Sequence, residues 1–460
     1  NMAFLVGGAN SAVSGYDIDN SLRFNPGDED DLSRTPSSAG NSKTFTISFW
    51  AKLSNDYGTD TSTNNFVTGR DGSGMTCGVQ QISGGYIQCW NYDSGYDMQL
   101  VTSAAYRDVA AWYHIVFAVD TTQAVAANRA KLYVNGSQVT AFSTETYPDQ
   151  NLDTKWNEAV PHYIGSKDGT RDYFDGYLAD LYTIDGTAYD ADDFGETDED
   201  SGIWKPKEAD VTFGSNGGVF LEFKQSGTGT DASGMGADTS GNTNHMAVNN
   251  LAATSQTTDT PTNNFCTLNP FANALTNPIT LAEGNLKATG DSDSWEQVSS
   301  TLGSQNGKWY WEAKLSELEG DDAGEDYAQI GILNDFAVTS GALESYFGHA
   351  GSGIAYGKGQ DATIYRTGGA STSYGTTQTD DDIISVALDL TNNFIYFAKN
   401  GTWMDYSSAT GDPTSGATGT GGFAITASKL YLPGVACYNS TWEMNFGGAP
   451  YAISSGNADA

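Results

Sequence analysis

The sequence predicts an all-β chain built of two antiparallel β-sandwiches joined by a Gly/Ser/Thr/Asn-rich bridge. Three observations carry this. Apolar residues recur in short alternating runs, and no long window has helical spacing bounded by caps. Asn-Gly pairs, the strongest short hairpin signal, follow two of those runs. The composition, with 54 Gly, 25 Tyr, 20 Phe and 10 Trp, favours strands and turns. A chain of 460 residues also exceeds what one hydrophobic core organises, so more than one domain is expected.

The elements follow in order. Ser21–Asn25 opens as a strand, and Phe45–Ala51 alternates, with Phe45, Ile47 and Phe49 on one face. Trp112–Asp120 is a nearly continuous apolar run, the pattern of a buried strand. Ala130–Val134 leads into the turn Asn135-Gly136, and His162–Gly165 and Phe174–Tyr182 close the first unit. Val219–Phe223 is a further strand inside 207–278, a stretch otherwise rich in Gly, Ser, Thr and Asn. This stretch is expected to be a bridge that lays one or two strands on a neighbouring sandwich. The second sandwich contains Trp309–Glu312, Gln329–Ile332, Ile383–Leu390 and Phe394–Lys399, then the turn Asn400-Gly401 and Trp403. The expected domains are 1–206, 207–278 and 279–460.

The charge is one-sided: 57 acidic against 21 basic residues, net −36. Phosphate contacts need clustered Lys and Arg, so nucleic acid is excluded as a partner class, and an anionic membrane surface with it. No run of about 18 apolar residues exists, so no membrane-spanning helix is expected. Cys77 and Cys89 flank Ser83-Gly84-Gly85, which leaves a hairpin disulfide and two separate buried thiols both open.

Two resemblances sharpen the reading. Phe-Thr-Ile-Ser-Phe-Trp-Ala-Lys from Phe45, Trp-Tyr-His-Ile-Val-Phe from Trp112, Leu-Tyr-Val-Asn-Gly from Leu132 and Phe-Asp-Gly-Tyr-Leu-Ala-Asp-Leu-Tyr from Phe174 are similar to the laminin-G/concanavalin A-like lectin-and-glucanase family. Phe24-Asn25-Pro26-Gly27-Asp28, Leu32-Ser33-Arg34-Thr35 and Trp204-Lys205-Pro206 resemble a subgroup common in marine bacteriophage virion proteins. Trp309-Tyr310-Trp311-Glu312, Gly331-Ile332, Val386–Leu390, Ile395–Gly401, Pro433-Gly434-Val435 and Asn445-Phe446-Gly447 resemble the SPRY domain. The implied architecture is a concanavalin A-like jelly roll followed by a SPRY-like sandwich.

The first resemblance raises catalysis, because its fold also hosts glycosidases. These need two carboxylates about 5–9.5 Å apart, which the glucanase branch supplies from a Glu-x-Asp-x-x-Glu strand. The chain lacks that pattern; Glu196-Thr197-Asp198 comes nearest, but position 201 is Ser. His114 and His162 sit in strand patterns that suit packing. A noncatalytic protein is expected. The same resemblance implies a Ca²⁺ site joining Asp180 to the turn Asn25–Asp28, with Asn25 and Asp28 as ligands; no other cofactor is expected.

Ligand contacts are expected from aromatic residues in rim loops, since sugar C–H faces stack on rings while amides and carboxylates take hydroxyls. The candidates are Trp90, Tyr92, Asp93, Tyr96, Arg171 and Tyr173 in the first unit, and Tyr346, Tyr356, Tyr365, Trp403 and Tyr406 in the second. Together the resemblances imply a virion surface protein, a tail fibre or appendage, that recognises host-surface polysaccharide or glycoprotein. Its further partners would be other virion proteins and copies of itself, a trimer if it is a fibre. The alternatives are a structural decoration or connector protein of the virion, and a secreted glycan-active enzyme.

Overall fold

The computed structural model describes residues 15–55, 63–273, 277–290, 294–318, 327–334, 347, 352–358, 361–366, 370–406 and 410–447. Among them there is no α-helix, only strands and single 3₁₀ turns. The fold class expected from the alternating patterns is therefore the one found. The chain divides into two compact units, with the boundary between Asn264 and Phe265.

The first unit contains β1 (Ser21–Phe24), β2 (Asp31–Arg34), β3 (Thr44–Leu53), β4 (Asn64–Arg70), β5 (Thr76–Ile82), β6 (Tyr86–Tyr92), β7 (Tyr96–Ala105), β8 (Trp112–Asp120), β9 (Ala130–Val134), β10 (Ser137–Gln138), β11 (Phe142–Thr146), β12 (His162–Ile164), β13 (Gly176–Asp185), β14 (Gly195–Thr197), β15 (Trp204–Pro206), β16 (Val219–Leu221), β17 (Ala247–Asn249) and β18 (Gln256–Thr257). One sheet runs β10-β9-β8-β3-β13-β1-β18, with β16 also on β13; the other runs β11-β7-β6-β5-β4-β12-β2-β17. The core between them takes Phe45, Ile47, Phe49, Ala51 and Leu53 from β3, as alternation requires, against Val67, Cys77, Val79, Ile87, Cys89, Met98 and Leu100 from the opposite sheet.

The other face of β3 is also buried, and the reason lies in the chain after β13. Thr46 Oγ1 donates to the Thr187 carbonyl, and the Lys52 ammonium meets Asp259 at 2.7 Å while donating to Asn264 Oδ1. Trp112 Nε1 donates to the other oxygen of Asp259 at 3.1 Å. Tyr182 stacks on Phe220, with centroids 4.1 Å apart. Parts of 187–264, around Thr187, Phe220, Asp259 and Asn264, therefore cover the outside of this sheet.

The stretch 207–264 lays three strands on the first sandwich, where a bridge with one or two was expected. Strands β16, β17 and β18 add to β13, β2 and β1, and Val219, Leu221, Phe223, Met235, Met246 and Leu251 join the first core. Left in a linker, those side chains would expose their apolar area to water. From Phe265 onward the chain belongs to the second unit, where Leu268 is fully buried.

In the second unit one sheet contains Thr280–Ala282, Lys287–Gly290, Ser440–Asn445, Lys308–Leu318, Ile383–Asp389, Phe394–Lys399 and Thr402–Trp403 in that order, with Phe423–Ala424 also on Phe394–Lys399. The other contains Glu296–Ser299, Tyr431–Tyr438, Tyr327–Asn334, Ser352–Lys358, Asp361–Arg366 and Ala370–Ser373. Trp311, Ala313, Leu315, Ile384, Val386, Ile395, Phe397 and Trp442 meet Ile330, Ile332, Tyr356, Ile364 and Val435 between them. Both Asn-Gly turns have the positive φ that a tight hairpin demands: 47° and 77° at Asn135-Gly136, 47° and 78° at Asn400-Gly401. Cys77 and Cys89 are free buried thiols that stand opposite Asn91 and Val79, not opposite each other.

Candidate functional site

The strands β4–β7 present to the core their apolar set, so alternation puts a different set on the outside. Cross-strand register arranges that outer set in rows. Asn65, Gln80, Gln88 and Val101 form one; Thr68, Gly78, Trp90 and Gln99 form the next; Arg70, Thr76, Tyr92 and Tyr96 form the third, at the end of the sheet. This face is mostly amide, hydroxyl and aromatic; its first two rows are largely buried, with Asn65, Thr68, Gln80, Gln88 and Trp90 at most 6% exposed.

Trp90 sits at its centre. Its indole Nε1 donates to Thr76 Oγ1 at 2.9 Å, and its ring lies over Gly78, where a Cβ would come within 3.1 Å of Trp90 Cη2. A side chain at 78 would meet the Val67 backbone carbonyl first and press on the indole only secondarily. Gln80 Nε2 donates to Gln88 Oε1 at 2.8 Å. The remaining amide atoms of this pair, Gln80 Oε1 and Gln88 Nε2, are buried and have no protein partner. One is an acceptor and the other a donor, a pairing that a vicinal diol can satisfy.

The end row is more open. Tyr92 is 37% exposed and Tyr96 50% exposed, with rings edge-on at 5.3 Å. Asp93 lies in the turn between them, 4.0 Å from the Lys155 ammonium, which also pairs with Glu158 at 3.3 Å. At the other side Arg70 and Arg171 share Asp168, at 3.3 and 3.1 Å. Burial works against the Asp168 carboxylate, but hydrogen bonds from Thr170 and Arg171 and both guanidinium charges hold it below its ordinary range.

Of the first-unit candidates, Trp90 and Tyr92 therefore share one strand face, Tyr96 packs against Tyr92, Asp93 borders them, and Arg171 reaches the row through Asp168 and Arg70. Trp90 corrects an expectation: it is 3% exposed and lies on a sheet face, not in a loop. Tyr173 stands apart, with its hydroxyl donating to the Gly169 carbonyl of its own loop at 2.8 Å. An expectation built on loop aromatics does not reach Gln80, Gln88, Arg70 and Thr76, which lie on the strands. The signal that finds them is their period-two alternation with Val79, Cys77 and Cys89.

The second-unit candidates do not converge. Tyr346 lies outside the described residues. Tyr356 is fully buried, with its hydroxyl on the Thr376 carbonyl, and Tyr365 is 8% exposed, so neither is a rim residue. Trp403 is half-buried against Tyr310, while Tyr406 is 47% exposed and packs on Tyr374 and Phe423.

The implied Ca²⁺ ligands do not fit one site. Phe24 pairs with Gly176 in an antiparallel register, so Asn25 and Asp180 lie five residue steps apart, roughly 16 Å along the strands. Asn25 instead donates to Asp28 within its own turn, and Asp180 accepts from the Tyr16 hydroxyl at 2.9 Å. Burial pushes Asp180 up to about 7. Among the described residues no three His, Cys, Asp or Glu side chains converge to hold a metal. Glu196 and Asp198, the nearest approach to a carboxylate pair in sequence, both face Lys205, at 3.3 and 3.2 Å.

Comparison with known proteins gives one sequence match. Residues 27–191 match the model of the concanavalin A-like lectin/glucanases superfamily, Laminin_G_3. No curated protein matches the chain. Similar solved structures include the SPRY domain of human HERC1, with 15% identity, TM-score 0.28, covering 38% of this chain and 96% of that one. They also include the TRIM65 PSpry domain, with 14% identity, TM-score 0.27, covering 39% and 88%. A third is the heptameric SAP-like pentraxin of Limulus polyphemus, with 15% identity, TM-score 0.28, covering 38% and 80%. These findings show a β-sandwich protein whose residues 27–191 are similar to the concanavalin A-like superfamily.

Proposed function

We propose that this chain is a noncatalytic surface protein of a virion, a tail fibre or appendage, that recognises host-surface glycans through the outer face of β4–β7. The observation that carries the reading is the joined set on that face: the open Tyr92–Tyr96 pair, the Trp90 indole beside it, and the buried Gln80–Gln88 pair with one donor and one acceptor to spare. Rings take the apolar face of a sugar and the amides take its hydroxyls. The match to a lectin-containing superfamily supports the binding class. The virion setting rests on the sequence motifs at Phe24–Asp28, Leu32–Thr35 and Trp204–Pro206. Single sugar contacts are weak, so function needs several copies held together, which favours a homo-oligomer, a trimer in a fibre.

A glycan array probed with the full chain tests this. Binding to a host-type polysaccharide is expected, with Tyr92→Ala lowering it about tenfold and no new reducing ends appearing on long incubation. Cleavage of the polysaccharide, abolished by changing one carboxylate, would promote an enzyme instead. Binding indifferent to Tyr92→Ala and Gln88→Leu would remove this face as the site.

A further inference from the structure

The second unit carries a cleft of about 330 Å³ near the ends of the strands Ser352–Lys358 and Asp361–Arg366. Gly353 and Ile354 line one side, Phe423–Thr426 the other, and Arg366 reaches across. The Arg366 guanidinium lies over the Phe423 ring, 5.3 Å from its centroid. Tyr406, 47% exposed, packs on the same ring at 6.2 Å.

What marks this arginine is that it lines a cleft and makes neither a hydrogen bond nor an ion pair among the described residues. In a chain with 57 acidic and 21 basic residues, a cation has ample choice of carboxylates. Arg70 and Arg171 take one, but Arg366 makes no ion pair among the described residues. A guanidinium beside an aromatic ring keeps N–H donors that the ring does not satisfy, and these match the oxygens of a carboxylate or sulfate. The adjoining Tyr406 ring offers a surface for an apolar sugar face. The cleft is large enough for one pyranose ring and too small for an extended chain.

We propose that this cleft binds an acidic sugar unit, with its carboxylate or sulfate on Arg366 and its ring against Tyr406. The acidity of the whole chain opposes such a ligand only at range, and salt screens that repulsion beyond about 8 Å at physiological ionic strength. The contact on Arg366 is shorter than that and survives. The site is independent of the glycan reading of the first unit, because its ligand must be charged and its residues differ.

Calorimetric titration of the full chain tests it, with a galacturonate oligomer, the methyl ester of that oligomer, and a neutral oligosaccharide bearing one sulfate. Saturable binding of the uronate or the sulfated sugar, and none of the ester, is expected. Arg366→Gln should weaken it at least tenfold with an unchanged melting temperature, Arg366→Lys should retain part of it, and Tyr92→Ala should leave it untouched. Uronate binding alone identifies the carboxylate as the anchor, and sulfated-sugar binding alone the sulfate ester. Binding of the ester as tight as that of the acid, equal affinity in Arg366→Gln, or no binding by either acid overturns the assignment. If Arg366→Gln fails to fold, the Arg366→Lys variant and the acid-against-ester comparison decide alone.

Discussion

The outward sheet faces that carry Trp90 and Trp403 are built alike and used differently. In the first unit the row is Thr68–Gly78–Trp90–Gln99; in the second it is Asn445–Glu312–Ser385–Ala398–Trp403. Each face also holds buried polar atoms without a protein partner: Gln80 Oε1 and Gln88 Nε2 in one, Glu312 Oε2, Asn445 Nδ2 and the Tyr396 hydroxyl in the other. The first face ends in open rings at Tyr92 and Tyr96, whereas Glu312, Tyr396 and Asn445 are fully buried. A polar row is therefore not enough to nominate a site. Its end must reach solvent.

The largest expected effect separates the two tryptophans. Trp90 is almost wholly buried and hydrogen-bonded, so Trp90→Ala should cost about 3–5 kcal/mol. Half-buried Trp403→Ala should cost under about 2 kcal/mol. Denaturant unfolding of both variants checks this, and equal losses would collapse the contrast.

The second effect is the pH dependence of the first unit, where three buried groups pull in opposite directions. Burial lowers His114 to about 3 and His162 to about 4, below the ordinary imidazole value. Their contribution is full above pH 6.5 and is lost as pH falls towards 4 and 3, because the unfolded chain takes up the protons first. Asp180, raised to about 7, does the reverse: its contribution is full below pH 3.8 and is lost as pH rises through 7, by roughly 4 kcal/mol. Asp180→Asn keeps the acceptor for Tyr16. The variant should melt above wild type at pH 8 and level with it at pH 4. In the second unit, burial opposes the charge of Asp382, but Lys399, the Thr379 amide and Asn400 outweigh it and hold the carboxyl below its ordinary value. That unit should weaken only at acid pH. A thermal scan series from pH 4 to 8 separates the two behaviours.

The smallest effect concerns the unpaired amides. Replacing a buried, half-satisfied polar pair by apolar groups of like shape is nearly neutral. Gln80→Leu with Gln88→Leu should therefore move stability by under about 1 kcal/mol while abolishing glycan binding on the array. A large loss of stability with binding intact would make the pair structural.

Much of the strand content was legible, because period-two alternation and turn chemistry are local. Trp112–Asp120, Ala130–Val134 and Phe394–Lys399 are found with the bounds their residues suggest. The candidate site was legible only in part. Tyr92 and Tyr96 stand out as aromatics around an Asp-Ser-Gly turn, but Trp90 was expected in a loop, and its neighbours Gly78 and Gln99 come from other strands.

What the sequence by itself determined is therefore the local script: alternating strands, two Asn-Gly hairpins with the positive φ they require, and an absence of helix among the described residues. What only the tertiary structure decided is register and docking. That Gln80 stands beside Gln88, that Asn25 lies far along the strands from Asp180, and that parts of 187–264 fold back to bury Lys52 against Asp259 all depend on long-range pairing. The physical reason is that alternation fixes which face a residue occupies but not which residue stands across from it. A slip of two residues between strands keeps every side chain on its face and changes every neighbour, so only the packing of the whole unit selects the register that makes a site.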